Sequence, residues 1–167
     1  MFVLNHLWII PLLPLLGAAA NGLFGWAWPR RAINAVALGA TGLAALATAE
    51  LAREFAHLDA TQIPWVHSYF TWIMAGNLRA DYSLQVDSLT LVMLGVVTGV
   101  GWLIHLYSTS YMADDAGYRR FFSYLNLFMF FMLTLVLAAN YVLLFVGWEG
   151  VGLSSYLLIG FWFLKKT

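Results

Sequence analysis

The chain has 167 residues, 62% of them hydrophobic and 10% charged, with eight basic and eight acidic side chains and no net charge. A water-soluble domain of this size needs a more highly charged surface, so the composition indicates an integral membrane protein. The balanced charge excludes a basic nucleic-acid-binding face, and the absence of cysteine excludes disulfides, thiolate metal sites, iron–sulfur ligation and a cysteine nucleophile within these residues.

The N-terminal run MFVLNHLWIIPLLPLLGAAANGLFGWAW carries no Lys or Arg before its apolar stretch. It continues past signal-peptide length into Trp26 and Trp28, so it reads as a retained span. A spanning helix takes about 20 mostly apolar residues. Five stretches qualify, at about 4–28, 32–52, 88–107, 121–138 and 141–163, and they form a single membrane domain over 1–167. The second is Ala-rich. In the third, Gly95-Val-Val-Thr-Gly99 offers a helix-packing face, and Asp87-Ser88 caps its start. The last two spans form a nearly continuous apolar block, broken at Ala138–Asn140 by a tight turn that a left-handed Asn suits.

Between the second and third spans lies a long loop, 53–87. Leu78, Ala80, Tyr82 and Leu84 alternate there with Arg79, Asp81 and Ser83, the pattern of a half-buried strand. Pro64–Ile73 can pair with it across a turn at Ala75–Asn77, which predicts a small extracytoplasmic β-hairpin on an all-α polytopic transmembrane bundle. Arg30 and Arg31, Arg119 and Arg120, and Lys165 and Lys166 all fall on one side, against Arg53 and Arg79 on the other. By the positive-inside rule the first side is cytoplasmic and the N-terminus extracytoplasmic. Trp26, Trp28, Tyr107, Tyr111 and Trp162 fall near the cytoplasmic span ends, as an aromatic belt does.

Glu149 is the ionisable residue of the apolar, glycine-rich run FVGWEGVGLSSYLLIGFWF. It lies roughly 12 Å below the outer end of its span, inside the hydrocarbon layer. A charged, unpaired side chain there is expensive, so an intramembrane carboxylate is a candidate functional group. On a helix it shares a face with Phe145, Gly152, Leu153 and Tyr156. Gly152 leaves room beside it, Tyr156 offers a hydroxyl one turn further on, and Gly147 and Gly150 permit close packing. Two readings stay open: a proton-binding carboxylate on a buried hydrophilic path, or a structural Glu tied to a neighbouring helix. His105, near the end of the third span, is either a proton relay or a histidine at headgroup level. His6, His57 and His67 show no metal-ligand spacing, Asp114-Asp115 reads as a solvated loop, and no phosphate loop or dinucleotide fingerprint appears.

Leu103–Trp162, above all GYRRFFSYLNLF and FVGWEGVGLSSYLLIGFW, closely resembles subunit L of proton-pumping NADH:quinone oxidoreductase, respiratory complex I, a family with mitochondrial and plastid counterparts. The likeness continues more loosely to Tyr82–Leu94 and the N-terminus. It implies an antiporter-like subunit of the membrane arm, in a bacterial plasma membrane or an organellar inner or thylakoid membrane. It also implies no cofactor in this chain, with FMN, iron–sulfur clusters, NADH and quinone in other subunits. The implied partners are the other membrane-arm subunits, especially the adjacent antiporter-like one, and the lipid bilayer. Glu149 falls on the family's fifth-helix glutamate, whose partner is a lysine on the seventh helix, and His105 on a third-helix histidine. The family has some fourteen or more spans, so the seventh-helix lysine lies outside these residues, and the chain is expected to be a fragment or a split subunit. Alternatives are the large subunit of an Mrp-type Na⁺/H⁺ antiporter or of a membrane-bound hydrogenase, and a structural or assembly protein without transport activity.

Overall fold

A computed structural model of the chain describes residues 1–163, with Leu78 described through its backbone alone. In order, the elements are α1 (Phe2–Asn5), α2 (Ile9–Leu23), α3 (Arg30–Phe55), β1 (Trp65–Ala75), β2 (Leu78–Val86), α4 (Ser88–Tyr111), α5 (Tyr118–Leu137) and α6 (Tyr141–Ile159). Helices α3, α4 and α5, and α6 with the 3-10 turn that continues it to Trp162, are long and apolar enough to cross a membrane.

The first expected span is divided. A turn at residues 6–8 separates α1 from α2, and a 3-10 turn at Gly25–Ala27 follows α2. Pro11 sits in the first turn of α2, where its missing N–H is not needed, whereas Pro14 lies inside the helix. The 15 residues of α2 rise only about 22 Å, less than the roughly 30 Å hydrocarbon layer.

Helix α5 is the hub: α2, α3, α4 and α6 all pack on it. Small residues bring these helices close. A Cβ on Gly17 of α2 would lie 2.8 Å from Ala40 Cβ of α3, and one on Gly101 of α4 would lie 2.5 Å from Met129 Sδ of α5. The Gly95–Gly99 pair does not form the packing face its spacing predicts: both residues are exposed, with nothing within 4 Å of either Cβ position. The GxxxG spacing is present, but no helix stands opposite it among the described residues.

Arginines tie one end of the bundle together. Arg30 donates to Ala113 O, Arg119 Nη1 to Gly22 O at 2.9 Å and Arg120 Nη2 to Phe161 O at 3.3 Å. The loops before α3 and α5 and the end of α6 therefore share one side; Lys165 and Lys166 lie outside the described residues. The Arg30 and Arg120 guanidiniums also sit over the rings of Tyr118 and Phe161.

The hairpin is at the other end. β1 and β2 pair antiparallel from Trp65↔Val86 to Ala75↔Leu78, with irregularities between Ser68 and Phe70 and between Thr71 and Ile73. The turn between them needs the one positive φ among the described residues, +57° at Gly76. Leu84 and Val86 enter a core shared with Leu4, Leu51, Leu94 and Leu137. Asp87 then starts α4: it accepts from Thr90 N–H at 2.7 Å, and that bond holds its carboxyl below the usual range.

The turn between α5 and α6 works differently from the left-handed Asn expected at 140. Asn140 is extended, at φ −145° and ψ 162°, and its Oδ1 caps α6 by accepting from Leu143 N–H at 3.0 Å. Its Nδ2 reaches back to the hairpin, donating to Asp81 O at 2.7 Å and Ser83 Oγ at 3.2 Å, while Ala139 N–H donates to Ser83 O at 3.1 Å. These contacts bury Ser83, which the strand pattern placed on the polar side.

Asn140→Ala removes the cap and both ties. A cap is worth about 1 kcal/mol and each further hydrogen bond about 1 kcal/mol, so a loss of about 2–3 kcal/mol is expected, read as a lower melting temperature of the solubilised protein. Asn140→Asp, which keeps the cap acceptor, should lose less. Wild-type melting of the alanine variant would remove Asn140 as the link.

Candidate functional site

The placement of Glu149 follows from how α6 seats on α5. One face of α6 carries Leu143, Gly147, Gly150 and Ser154, all buried. A Cβ on Gly147 would stand 2.7 Å from Leu135 Cα, and one on Gly150 would stand 1.9 Å from Phe131 Cδ1. The seam therefore admits hydrogen alone at these two positions. With 100° per residue, it turns Glu149 away from α5. Glu149 is exposed on the outer face of α6, with Phe145, Trp148, Gly152, Leu153 and Tyr156, the last 74% exposed. Nothing lies within 4 Å of the Cβ position of Gly152, so there is open space one turn from the carboxylate. Among the described residues Glu149 has no ion-pair or hydrogen-bond partner. A charged carboxylate at this depth does not face hydrocarbon without a large cost.

His105 is placed elsewhere. Helix α4 runs on to Tyr111, beyond the expected end at 107, so His105 is six residues inside it rather than near its end. Its ring is completely buried and 6.3 Å from that of Phe122 on α5. Its Nδ1 is 2.8 Å from Gly101 O. Because α4 and α6 pack on α5 separately, the structure brings Glu149 and Tyr156 to one face of one helix and sets His105 in a different helix interface.

One further carboxylate, Glu54, carries no motif in the sequence. It lies in the last turn of α3 and is 6% exposed. It accepts from the backbone N–H groups of Phe2 at 2.6 Å, Val3 at 3.2 Å and Leu4 at 2.9 Å. The first N–H groups of a helix have no partner within it, and Glu54 supplies one from another helix. A signal was available: an acid at a helix C-terminus opposes the macrodipole and calls for a compensating partner. Asp115 is likewise structural, accepting from Gly117 N–H at 2.7 Å and Trp162 Nε1–H at 2.8 Å, which joins the α4–α5 loop to the end of α6. Among the described residues no three His, Cys, Asp or Glu side chains come together as a metal site.

Comparison with known proteins gives a consistent family. The family described as NADH-Ubiquinone oxidoreductase (complex I), chain 5 N-terminus, matches residues 72–122. The chain is similar to NADH-quinone oxidoreductase subunit L of Mycobacterium tuberculosis, at 48% identity over 98% of this chain and 26% of the relative. Subunit L of Escherichia coli is 44% identical over 96% of this chain and 26% of the relative. NADH-ubiquinone oxidoreductase chain 5 of Dictyostelium discoideum is 43% identical over 92% of this chain and 22% of the relative. The chain thus spans about a quarter of the length of these relatives.

Glu54→Ala should leave three N–H groups without their acceptor, at about 1–3 kcal/mol each where they are buried. The expected result is a sharp fall in folded yield and melting temperature, with Glu54→Gln intermediate because its Oε1 still accepts. An unchanged melting temperature for Glu54→Ala would show that α1 is held by other contacts.

Proposed function

Because the chain matches the N-terminal portion of the NADH-quinone oxidoreductase subunit L and chain 5 family along nearly its whole length, and belongs with that family, we propose that it serves as an antiporter-like, membrane-arm part of that enzyme in redox-driven proton translocation. The observation that carries the mechanism is Glu149 on the outward face of α6, inside a helix long and apolar enough to cross a membrane, beside the open position at Gly152. Its cationic partner comes from beyond these residues; the family resemblance implies a lysine on the seventh helix. When the cation is close, it favours the charged carboxylate; when it withdraws, the low-dielectric surroundings favour the neutral acid. Glu149 then takes up a proton as the pair opens and releases it as the pair closes. Tyr156 offers a hydroxyl on the same face, and His105 relays protons on the arginine-rich side of the bundle.

On this reading the chain carries no redox cofactor, and FMN, iron–sulfur clusters, NADH and quinone belong to other subunits. Its partners are the neighbouring membrane-arm subunits, the adjacent antiporter-like subunit above all. The end bearing Arg30, Arg31, Arg119 and Arg120 faces the cytoplasm or its organellar equivalent, and the hairpin and N-terminus face the opposite side. These residues in isolation hold half of an ion pair and do not move protons. An Mrp-type antiporter or a membrane-bound hydrogenase would use the same glutamate, and the genes beside this one discriminate among the three.

Glu149→Gln in the assembled, full-length protein is the decisive variant. Proton translocation should fall by about an order of magnitude or more, while the complex still assembles and melts as before, because the seam of α6 does not involve this side chain. A loss of assembly with translocation per complex unchanged would make Glu149 a structural tie instead.

A further inference from the structure

On the arginine-bearing side, a cavity of about 450 Å³ lies between the start of α5 and the end of α6. Its walls divide by chemistry. Leu157, Phe161 and Phe163 are apolar, whereas Arg120, Tyr124 and Tyr156 carry N–H or O–H donors, and no carboxylate lines it.

The donors are available. Arg120 gives an N–H to Phe161 O at 3.3 Å and lays its guanidinium 4.8 Å from the centroid of the Phe161 ring. Those contacts hold the charge at the cavity, and a guanidinium has five N–H groups, so most remain to be used. Among the described residues Arg120 has no carboxylate partner, and the hydroxyls of Tyr124 and Tyr156 have no hydrogen-bonding partner. A cation held in this way is complementary to an anion with several acceptor oxygens, and a phosphate group is one.

The place of the cavity selects what carries the phosphate. Both helices that form it are long and apolar enough to cross a membrane. Arg120 is in the first turn of α5, at the helix end. Tyr124 is six residues into α5 and Tyr156 six residues before Trp162, each about 9 Å from its helix end. From the mouth inward the cavity thus offers a cation, then two hydroxyls beside apolar walls. A phospholipid presents its groups in the matching order: phosphate, ester carbonyls, acyl chains. A free phosphate would use the cation and leave Leu157, Phe161 and Phe163 without a partner.

We propose that this cavity binds an anionic phospholipid, with its phosphate on Arg120, its ester carbonyls accepting from the tyrosine hydroxyls and its acyl chains along the apolar wall. Tyr156 is shared with the face that bears Glu149, but the site does not rest on proton translocation, and lipid occupancy and pumping are separate readouts.

Gly160 supplies a variant that leaves the bond and ring contact of Arg120 in place. It lines the cavity, its φ is −77°, which any residue adopts, and nothing lies within 4 Å of its Cβ position. Gly160→Leu therefore fills space at the wall without strain. The test is photo-cross-linking of the full-length protein in its membrane assembly with a phosphatidylglycerol that carries a diazirine at the start of one acyl chain, read by peptide mass spectrometry. Labelling of Tyr124 and of residues 156–163 is expected, competed by unlabelled phosphatidylglycerol and reduced several-fold in Arg120→Gln and Gly160→Leu. Labelling absent from these residues in the wild type, or unchanged in both variants, would overturn the site. Equal competition by phosphatidylcholine would remove its selectivity for an anionic lipid, and competition by inorganic phosphate alone would make it a site for a free anion; either result overturns the proposal. If Arg120→Gln does not assemble, Gly160→Leu decides.

Discussion

The seam between α5 and α6 governs the orientation of everything on the last helix. Gly147 meets the backbone of Leu135, and Gly150 meets the ring of Phe131, with no room for a methyl group at either place. A helix seated that closely cannot roll about its axis without driving backbone into side chain. Close packing therefore does for α6 what a polar tie would otherwise do: it fixes which residues look out. The single carboxylate of the helix is aimed by what lies on the opposite side of it.

The same bundle uses carboxylates in two opposed ways. Glu54 is satisfied entirely within the chain, by three backbone N–H groups from a segment about 50 residues away in sequence. It behaves as a fixed counter-charge that holds α1 against the end of α3. Glu149 is left without any such donor among the described residues. The contrast is one of placement: one carboxylate is buried and filled with donors from its own chain, and the other is exposed on the outer face of α6. Polar side chains in the interior follow a third pattern, with threonines and serines bonding carbonyls of their own or adjacent helices and two asparagines and a histidine keeping an acceptor in reserve.

Much of the architecture is readable from the residues because its signals are local. Apolar run length marks the helices, alternation over Leu78–Leu84 marks the second strand, and helical periodicity tells which residues share a face with Glu149, though not that this face looks away from α5. The parts that are not readable depend on a partner distant in sequence. Gly95-Val-Val-Thr-Gly99 has the spacing of a packing face, but spacing does not say whether a helix stands opposite; Gly147 and Gly150 do have one. Asn140 suits a left-handed turn because Asn tolerates it, yet the available acceptors on β2 draw it into an extended, capping conformation. The helix that carries His105 ends later than the hydropathy does, through Ser108–Tyr111, because backbone hydrogen bonding does not require apolar side chains.

The cap at Asn140 also fixes a height. Its side chain is bonded to the backbone of β2, so the start of α6 is anchored to the sheet and not to the lipid. Glu149 lies nine residues further on, about 13.5 Å along the axis. Its distance from the hairpin is then a property of the protein, set by covalent geometry and two hydrogen bonds. In a thinner or thicker bilayer the carboxylate keeps that distance, and the acyl chains around α6 must compress or stretch to match it.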